Sequence, residues 1–294
     1  MRRWSFQYYL LLAPAVLLSV AVVLAPGLMT AYVAFTDWNG VSLTMNWIGT
    51  VNFAKIFADR VFWQALGNNV RWTLLFLTVP VGIGLLTAML LLKRGRTRTV
   101  YQMIYLGPYV LAPVTNAILW LNIILNPVSG LLRHVRHLFP RNSPLAPLRS
   151  PLGSPDTALY FVALVDIWHY WGFLTVIYLA ALRQTPQELV EAATVEGAGV
   201  LQLFRFIYLP TILPTVLLMF VIITIFSFLT FEYVYIMTGG GPAHSSEMLS
   251  TYAYTLAFNA LQYGKAAATG LVMSFFGLAA SVFYVWMSRR EVNA

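Results

Sequence analysis

The chain has 294 residues, of which 59% are hydrophobic and only 10% are charged, and it contains no cysteine. A soluble domain averages about 25% charged residues, so this composition excludes the soluble globular class and indicates a membrane protein. The lack of cysteine excludes a disulfide framework, a thiol nucleophile and a thiolate metal site. The formal net charge is +8. We attribute it to cytoplasmic loops rather than to a nucleic-acid-binding surface, because the basic residues lie at the ends of apolar segments.

Six apolar segments are long enough to cross the hydrocarbon core of a membrane, which takes about 20 residues of helix. In chain order the predicted spans cover residues 9–35, 70–92, 101–125, 157–182, 206–235 and 266–287. Helices are expected because lipid offers no partner to an unpaired backbone amide, and because the apolar runs are continuous rather than alternating. The apolar run from Tyr8 to Phe35 is too long for a signal peptide, so we interpret it as an uncleaved span. The sequence predicts an all-α membrane protein with a single transmembrane domain over residues 1–294.

The basic residues also predict the orientation of the spans. With the N-terminus inside, a small majority of the Lys and Arg residues lies on the cytoplasmic side, including the clusters at residues 93–98 and 289–290. Such clusters at membrane ends carry the most weight. The predicted outer loop at residues 126–156 is rich in proline and carries Arg133, Arg136, Arg141 and Arg149, an excess that the charge rule does not explain.

The loop at residues 185–210, between the fourth and fifth predicted spans, holds small and acidic residues where a membrane protein has little need of them. It reads Glu191-Ala-Ala-Thr-Val-Glu-Gly-Ala198, and Pro210 and Pro214 follow at the start of the next span. Without further information, a solvated helical hairpin that merely connects two spans explains this loop equally well.

The 185–210 loop is predicted to form two short helices. Thr185 is expected to cap the first helix, with Pro186 at its first position and Glu188 completing a capping box. Gly197 is placed to end this helix in a left-handed turn. A second helix is expected from Val200 to Tyr208.

The pattern of the 185–210 loop closely resembles the coupling loop of the permease subunits of bacterial ABC importers. In that family the loop forms a short coupling helix that inserts into a groove on a cytoplasmic ATPase subunit. The resemblance implies the type I ABC importer permease fold, with six transmembrane helices and a cytoplasmic coupling helix. It also implies an ATPase-docking surface at Glu191, Ala192, Ala193, Glu196, Gly197 and Ala198. Glu196 stands where the family usually has Asp, which preserves the charge.

The same resemblance implies the partners of the chain. They are a second related permease, two copies of a cytoplasmic ATPase subunit and an external substrate-binding protein, in a bacterial inner membrane with both termini cytoplasmic. The chain would be a transport subunit and not an enzyme. It would bind no cofactor, since ATP and Mg²⁺ would be held by the partner ATPase. The phosphate-binding pattern G-x-x-x-x-G-K-[ST] does not occur in this sequence, which agrees with ATP being bound by a partner subunit.

Four further segments resemble the sugar-importer branch of that family. They cover residues 106–113, 238–242, 251–258 and 263–268, and they are most similar to the maltose/glycerol-3-phosphate type of permease. The resemblance implies a carbohydrate substrate, delivered by the external binding protein. The sequence does not identify the sugar.

Five polar residues within the predicted spans are candidates for the substrate path. They are Asn116 in the third span, Asp166 and His169 in the fourth, and Glu232 and Tyr233 in the fifth. An acidic residue at a helix centre costs about 2.5–3.5 kcal/mol on insertion, so these residues should face a cavity, a partner or the bilayer edge. Carboxylates and amides among aromatic rings suit a sugar path. The alternative is that Asp166 and His169 simply pair between helices.

Two other functions are consistent with these polar residues. The chain could be a proton-coupled secondary transporter with Asp166, His169 and Glu232 as its relay, or a membrane enzyme that uses Asp166 and His169 as a base pair. The secondary transporter has no need of a docking loop that bends at Gly197, and no nucleophile or metal set for an enzyme is evident. No metal site is expected, since His134 and His137 have no third ligand near them in the sequence.

Overall fold

A computed structural model of the protein describes residues 6–92, 95, 97–126, 128–135 and 150–292. Part of the basic cluster at residues 93–98, His137 and three of the four loop arginines, Arg136, Arg141 and Arg149, therefore lie outside the described residues. The described part is helical, with one isolated antiparallel bridge between Thr36 and Trp47. The helices are α1 (Phe6–Ser19), α2 (Ala25–Val33), α3 (Val51–Phe57), α4 (Arg60–Leu92), α5 (Thr97–Val110), α6 (Pro113–Leu119), α7 (Leu131–Val135), α8 (Ala158–Leu182), α9 (Gln187–Val195), α10 (Val200–Leu203), α11 (Leu209–Leu229), α12 (Glu232–Met237), α13 (Leu249–Tyr254) and α14 (Tyr263–Val292). Short π-helical segments at Val20–Leu24, Trp120–Ile124, Phe204–Tyr208 and Thr255–Asn259 extend neighbouring helices.

The helical stretches account for the predicted membrane spans. Within the described residues, five are long and apolar enough to cross a bilayer: Leu11–Val33, Arg60–Leu92, Ala158–Leu182, Val200–Met237 and Tyr263–Met287. A sixth span results if α5 and the segment Pro113–Ile124 are taken together, although they meet at an angle of 92°. The predicted all-α membrane fold is thereby confirmed.

The third span is not the continuous helix that its apolar run suggested, because it is broken between α5 and α6. Ala112 is extended, with φ −61° and ψ 142°, and Pro113 opens α6. A proline has no N–H to donate, and it disfavours helical geometry in the residue before it. Pro113 therefore ends one helix and begins another in the middle of the span.

The chain divides into two compact units, of which the larger comprises Trp63–Thr251 and Phe275–Ala294. Helix α8 is central to this unit and packs against α5, α6, α11 and α12. The approach of α5 is so close at Gly172 that a Cβ atom there would lie 1.8 Å from the Tyr105 carbonyl oxygen. One turn further along α8, the Thr175 hydroxyl lies 2.6 Å from the Thr87 hydroxyl of α4.

Two buried asparagines of α4 hold the segment at residues 245–249 of the same unit. The Asn69 side chain donates to the Ser227 carbonyl and accepts the Leu249 N–H, both at 2.9 Å. The Asn68 amide donates at 2.9 Å to the carbonyls of Ser245 and Glu247. Neither residue was identified from the sequence, because a lone amide in a helix gives no sign of the loop that it will bind.

The smaller unit comprises Met1–Phe62 and Tyr252–Ser274. Its buried Asn52 amide donates to the carbonyls of Ala34 and Thr36, at 2.9 and 2.7 Å. In the loop between α2 and α3, the Asn46 side-chain amide donates to the Asp37 carboxylate at 3.0 Å. That hydrogen bond, joined by one from the Asn46 backbone, lowers the pKa of Asp37, since both favour the charged carboxylate.

Candidate functional site

The larger unit contains an open cavity of about 390 Å³. Its walls come from α4, α5, α6, α8, α11 and α12 and from the residues that join α11 to α12. The lining residues are Trp72, Phe76, Tyr109, Pro113, Asp166, His169, Tyr170, Ile223, Phe226, Ser227, Leu229, Thr230, Glu232 and Tyr233. Ligand-binding cavities commonly measure about 300–1,000 Å³, so this cavity has room for a small molecule.

The structure brings the five predicted path residues together. Asp166, His169, Glu232 and Tyr233 line the cavity. Asn116 does not line it, but it is fully buried and its amide donates to the Tyr233 hydroxyl at 2.8 Å. Residues from three predicted spans thus lie in the wall of one cavity or directly behind it. Their role in substrate contact stays a prediction.

His169 connects α8 to the break in the third span. Its Nε2 lies 3.0 Å from the Leu111 carbonyl oxygen, so Nε2 carries the hydrogen and donates to that carbonyl. The break at Ala112 leaves this carbonyl without a helical partner, and His169 supplies one. The Nδ1 atom lies 3.8 Å from Asp166 Oδ1, three residues away in the same helix. Asp166 and His169 are thus neighbours within α8, and the contact that His169 makes to another element goes to backbone, a structural role in addition to its place in the cavity wall.

Replacing His169 with leucine is expected to destabilise the protein by about 1–3 kcal/mol, because the half-buried Leu111 carbonyl loses its donor. His169→Gln retains a donor and should recover part of that loss. Thermal unfolding of the detergent-solubilised protein, compared among the parent and the two variants, measures the effect. Equal unfolding midpoints for the leucine and glutamine variants would contradict a bracing role for the hydrogen bond.

Aromatic rings form much of the cavity wall. Trp72 and Phe76 are stacked, with ring centroids 5.2 Å apart and 9° between the planes. Tyr109 is stacked on Phe173, with centroids 4.6 Å apart. Within the described residues, the buried hydroxyls of Tyr170 and Ser227 have no hydrogen-bond partner. The cavity wall therefore combines aromatic rings with carboxyl groups, and two unpaired hydroxyls lie buried within it.

The 185–210 loop contains the first predicted short helix, which begins later than expected, whereas the second begins at Val200 as predicted but runs without a break into α11. Helix α9 starts at Gln187, and Pro186 occupies the capping position with φ −57° and ψ 126°. No side chain caps the helix, and the Thr185 hydroxyl has no partner among the described residues. The predicted capping box with Glu188 is therefore wrong. Thr185 lies one residue too early in the chain to cap α9.

The predicted left-handed turn at Gly197 is confirmed. Gly197 has φ +87°, a conformation that side chains disfavour. Its N–H donates to the Thr194 carbonyl at 3.0 Å, and the Ala198 N–H donates to the Ala193 carbonyl at 2.9 Å. This is the Schellman arrangement that ends a helix and redirects the chain. Helix α10 then begins at Val200, with the Gly199 N–H donating to the Gln202 side chain at 2.8 Å.

The predicted docking residues lie together at this turn, although not all on the outer surface. Glu191, Ala192, Glu196 and Gly197 are exposed. Ala193 and Ala198 are half-buried and pack against the core of the larger unit. Four large apolar side chains are also exposed here, Leu189, Val195, Val200 and Leu201, and Val195 is 89% exposed. None of these was predicted from the sequence, although apolar residues in a hairpin predicted to be solvated were a signal for a contact surface.

Comparison with known proteins gives one consistent result. A family model described as "binding-protein-dependent transport system inner membrane component" matches residues 71–293. A probable ABC transporter permease protein of Pyrococcus horikoshii is 33% identical over 267 residues, covering 90% of each chain. AmyD of Thermoanaerobacterium thermosulfurigenes, a probable permease of a transport system for starch degradation products, is 27% identical and covers 97% of this chain and 95% of its own.

The fold also matches a solved structure. A chain from a bacterial ABC transporter involved in the import of the acidic polysaccharide alginate superposes with a TM-score of 0.82, at 25% identity. The match covers 97% of this chain and 96% of the other. Neither the relatives nor this structure supports the proton-coupled secondary transporter considered as an alternative.

Proposed function

Because the chain belongs to the family of binding-protein-dependent transport system inner membrane components, we propose that it is a permease subunit of an ATP-driven carbohydrate importer. It pairs with a second, related permease, and the two line a path for a sugar that an external binding protein delivers. The whole chain acts as one transmembrane domain in the bacterial inner membrane, with both termini cytoplasmic.

The observation that best supports this function is the composition of the cavity. A sugar has apolar faces that suit the more exposed rings of Tyr109 and Phe226, and hydroxyls that suit Asp166, Glu232 and Tyr233. The cavity lies against the broken third span, and irregular backbone at membrane depth is tolerated where it is buried in protein or lines a water-filled space. Asn116 supports the site by holding the Tyr233 hydroxyl.

The 185–210 loop is proposed to dock on the ATPase. The exposed side chains of Leu189, Val195 and Leu201 would enter an apolar groove of that partner. Glu191 and Glu196 would accept charge-assisted hydrogen bonds at the rim, while Ala192 and Gly197 allow close approach. Ala193 and Ala198 transmit the contact inward, because they pack against the core of this unit.

Closure of two ATPase subunits would push this docking surface and rotate the attached spans. Such a mechanism requires two membrane states with different contacts to the partners. ATP and Mg²⁺ are bound and used on the ATPase, and this chain binds no cofactor.

The function is tested by reconstituting the chain in vesicles with its second permease, ATPase and binding protein. Uptake of the sugar that the binding protein binds is expected to require ATP on the side of the membrane where the ATPase is attached. It should continue when an uncoupler collapses the proton gradient. Uptake without ATP that stops on addition of the uncoupler would contradict the proposal.

A further inference from the structure

We propose that the cavity selects uncharged carbohydrates and excludes sugars that carry phosphate or carboxylate groups. This inference rests on the proposed import function and specifies its substrate class. It separates the chain from the alginate importer, whose name states an acidic substrate, although the two folds match closely.

The charges along the cavity wall all have one sign. Asp166 and Glu232 both line it, and among the described residues that do so there is neither Lys nor Arg. The basic residue Arg71, in the same helix as Trp72, is directed elsewhere. Its guanidinium donates to the Asn68 side chain at 2.8 Å.

An anionic sugar would gain nothing from this wall to replace its lost hydration. Burying an anion without a cationic partner is strongly unfavourable, and two nearby carboxyl groups add repulsion whenever they are ionised. Proteins that bind phosphate or carboxylate usually present Arg or Lys to it. The cavity wall described here presents neither.

An uncharged polyhydroxyl ligand, in contrast, can donate hydrogen bonds to the carboxylates of this wall, and two unpaired hydroxyls lie directly behind it. Ser227 lines the cavity and is only 2% exposed, and its hydroxyl has no partner within the described residues. The buried hydroxyl of Tyr170, another lining residue, also has no hydrogen-bond partner within the described residues. Sugar hydroxyls both donate and accept, so they can donate to the carboxylates of Asp166 and Glu232, and they reach the hydroxyls of Ser227 and Tyr170 only if the side chains that cover these groups move.

The charge preference can be measured by cysteine labelling, because the chain contains no cysteine. Thr230→Cys places one thiol in the cavity wall, and Leu43→Cys places a reference thiol at a fully exposed loop position. The assembled importer is treated with cationic trimethylammonium-ethyl methanethiosulfonate or with anionic sulfonatoethyl methanethiosulfonate. The rate of modification of this chain is then followed by mass spectrometry. Leu229→Cys, also in the cavity wall, is a second reporter if the first variant does not assemble.

The cation-to-anion rate ratio at the cavity thiol is expected to exceed the ratio at the reference thiol by about tenfold or more, since a cleft of one sign concentrates counter-ions. Adding Asp166→Asn and Glu232→Gln, separately and together, should bring the ratio towards the reference value. Equal ratios at the two positions in the parent background, or a ratio unmoved by either replacement, would overturn the inference.

Glucose and glucuronate have the same ring but differ in charge, so a comparison of the two tests whether the charge preference applies to sugars. Glucose is expected to slow labelling of the cavity thiol more than glucuronate does at equal concentration, and protection that is no greater with glucose would overturn the inference. The outcome is separable from that of the proposed function. If ATP-driven uptake holds while the charge preference is absent, only the substrate class is wrong. If the preference holds without ATP-driven uptake, the importer assignment is wrong.

Discussion

Replacing Gly197 with proline is expected to abolish substrate-stimulated ATP hydrolysis by the assembled importer, with a loss of about tenfold or more, while the chain still inserts in the membrane. Proline fixes φ near −65°, and Gly197 requires φ +87°. Proline also removes the N–H that donates to Thr194. The turn between α9 and α10 would have to open, which moves the proposed docking surface without touching the membrane spans.

The control for this variant is Gly199→Ala, two residues further along. Gly199 has φ −73°, which alanine adopts readily, and the nearest atom to an added Cβ is the Gln202 side-chain oxygen at 3.7 Å. This variant should retain coupled hydrolysis. ATPase activity of the complex is measured with and without loaded binding protein, and membrane insertion is followed by fractionation. Undiminished stimulation in the proline variant would remove the basis for the docking role.

Replacing Gly172 with valine is expected to destabilise the protein more than any other single glycine substitution in the described helices. Even the Cβ atom would lie 1.8 Å from the Tyr105 carbonyl oxygen, so α5 and α8 would have to separate. Overpacking in a core typically costs about 1–3 kcal/mol, and it costs more where backbone rather than a flexible side chain must move. Close contact between backbones is also what holds helices together in lipid, where burial of apolar surface gives little.

The matched control for Gly172 is Gly107→Ala in α5, since nothing lies within 4 Å of a Cβ atom there. The two proteins are compared by thermal unfolding in detergent, with elution volume as a check on folding. A large fall in the midpoint is expected for the Gly172 variant and little change for the control. Similar midpoints would show that α5 and α8 do not need this close approach.

The sequence predicted the helical membrane fold and the turn at Gly197 because both depend on local chemistry. Long apolar runs have few structural options in lipid, and a glycine that follows a short helix is the usual residue for a left-handed turn. The late start of α9 was missed because the motif Thr185–Glu188 fits two helix starts one residue apart. The structure selects the one in which Pro186 precedes the helix.

The cavity was only partly predictable. Asp166 and Glu232 stood out because carboxyl groups are rare in apolar segments, whereas Trp72, Ser227 and Thr230 look like ordinary span residues. Their grouping depends on how α4, α8 and α11 pack, and hydropathy carries no information on that. The break at Ala112 was overlooked for a different reason. Prolines occur within other spans of this chain without breaking them, as Pro80 does in α4.

The break in the third span bears on how this protein keeps the membrane sealed. Pro113, directly after the break, borders the open cavity, so if the bent pair crosses the bilayer as one span, water in the cavity would reach the middle of that span. The protein that separates the two sides of the membrane at this point would then be only the part of the helix bundle between the cavity and the opposite membrane face. Resistance to ion leakage at rest therefore depends on how tightly that short stretch closes, not on the full length of the spans.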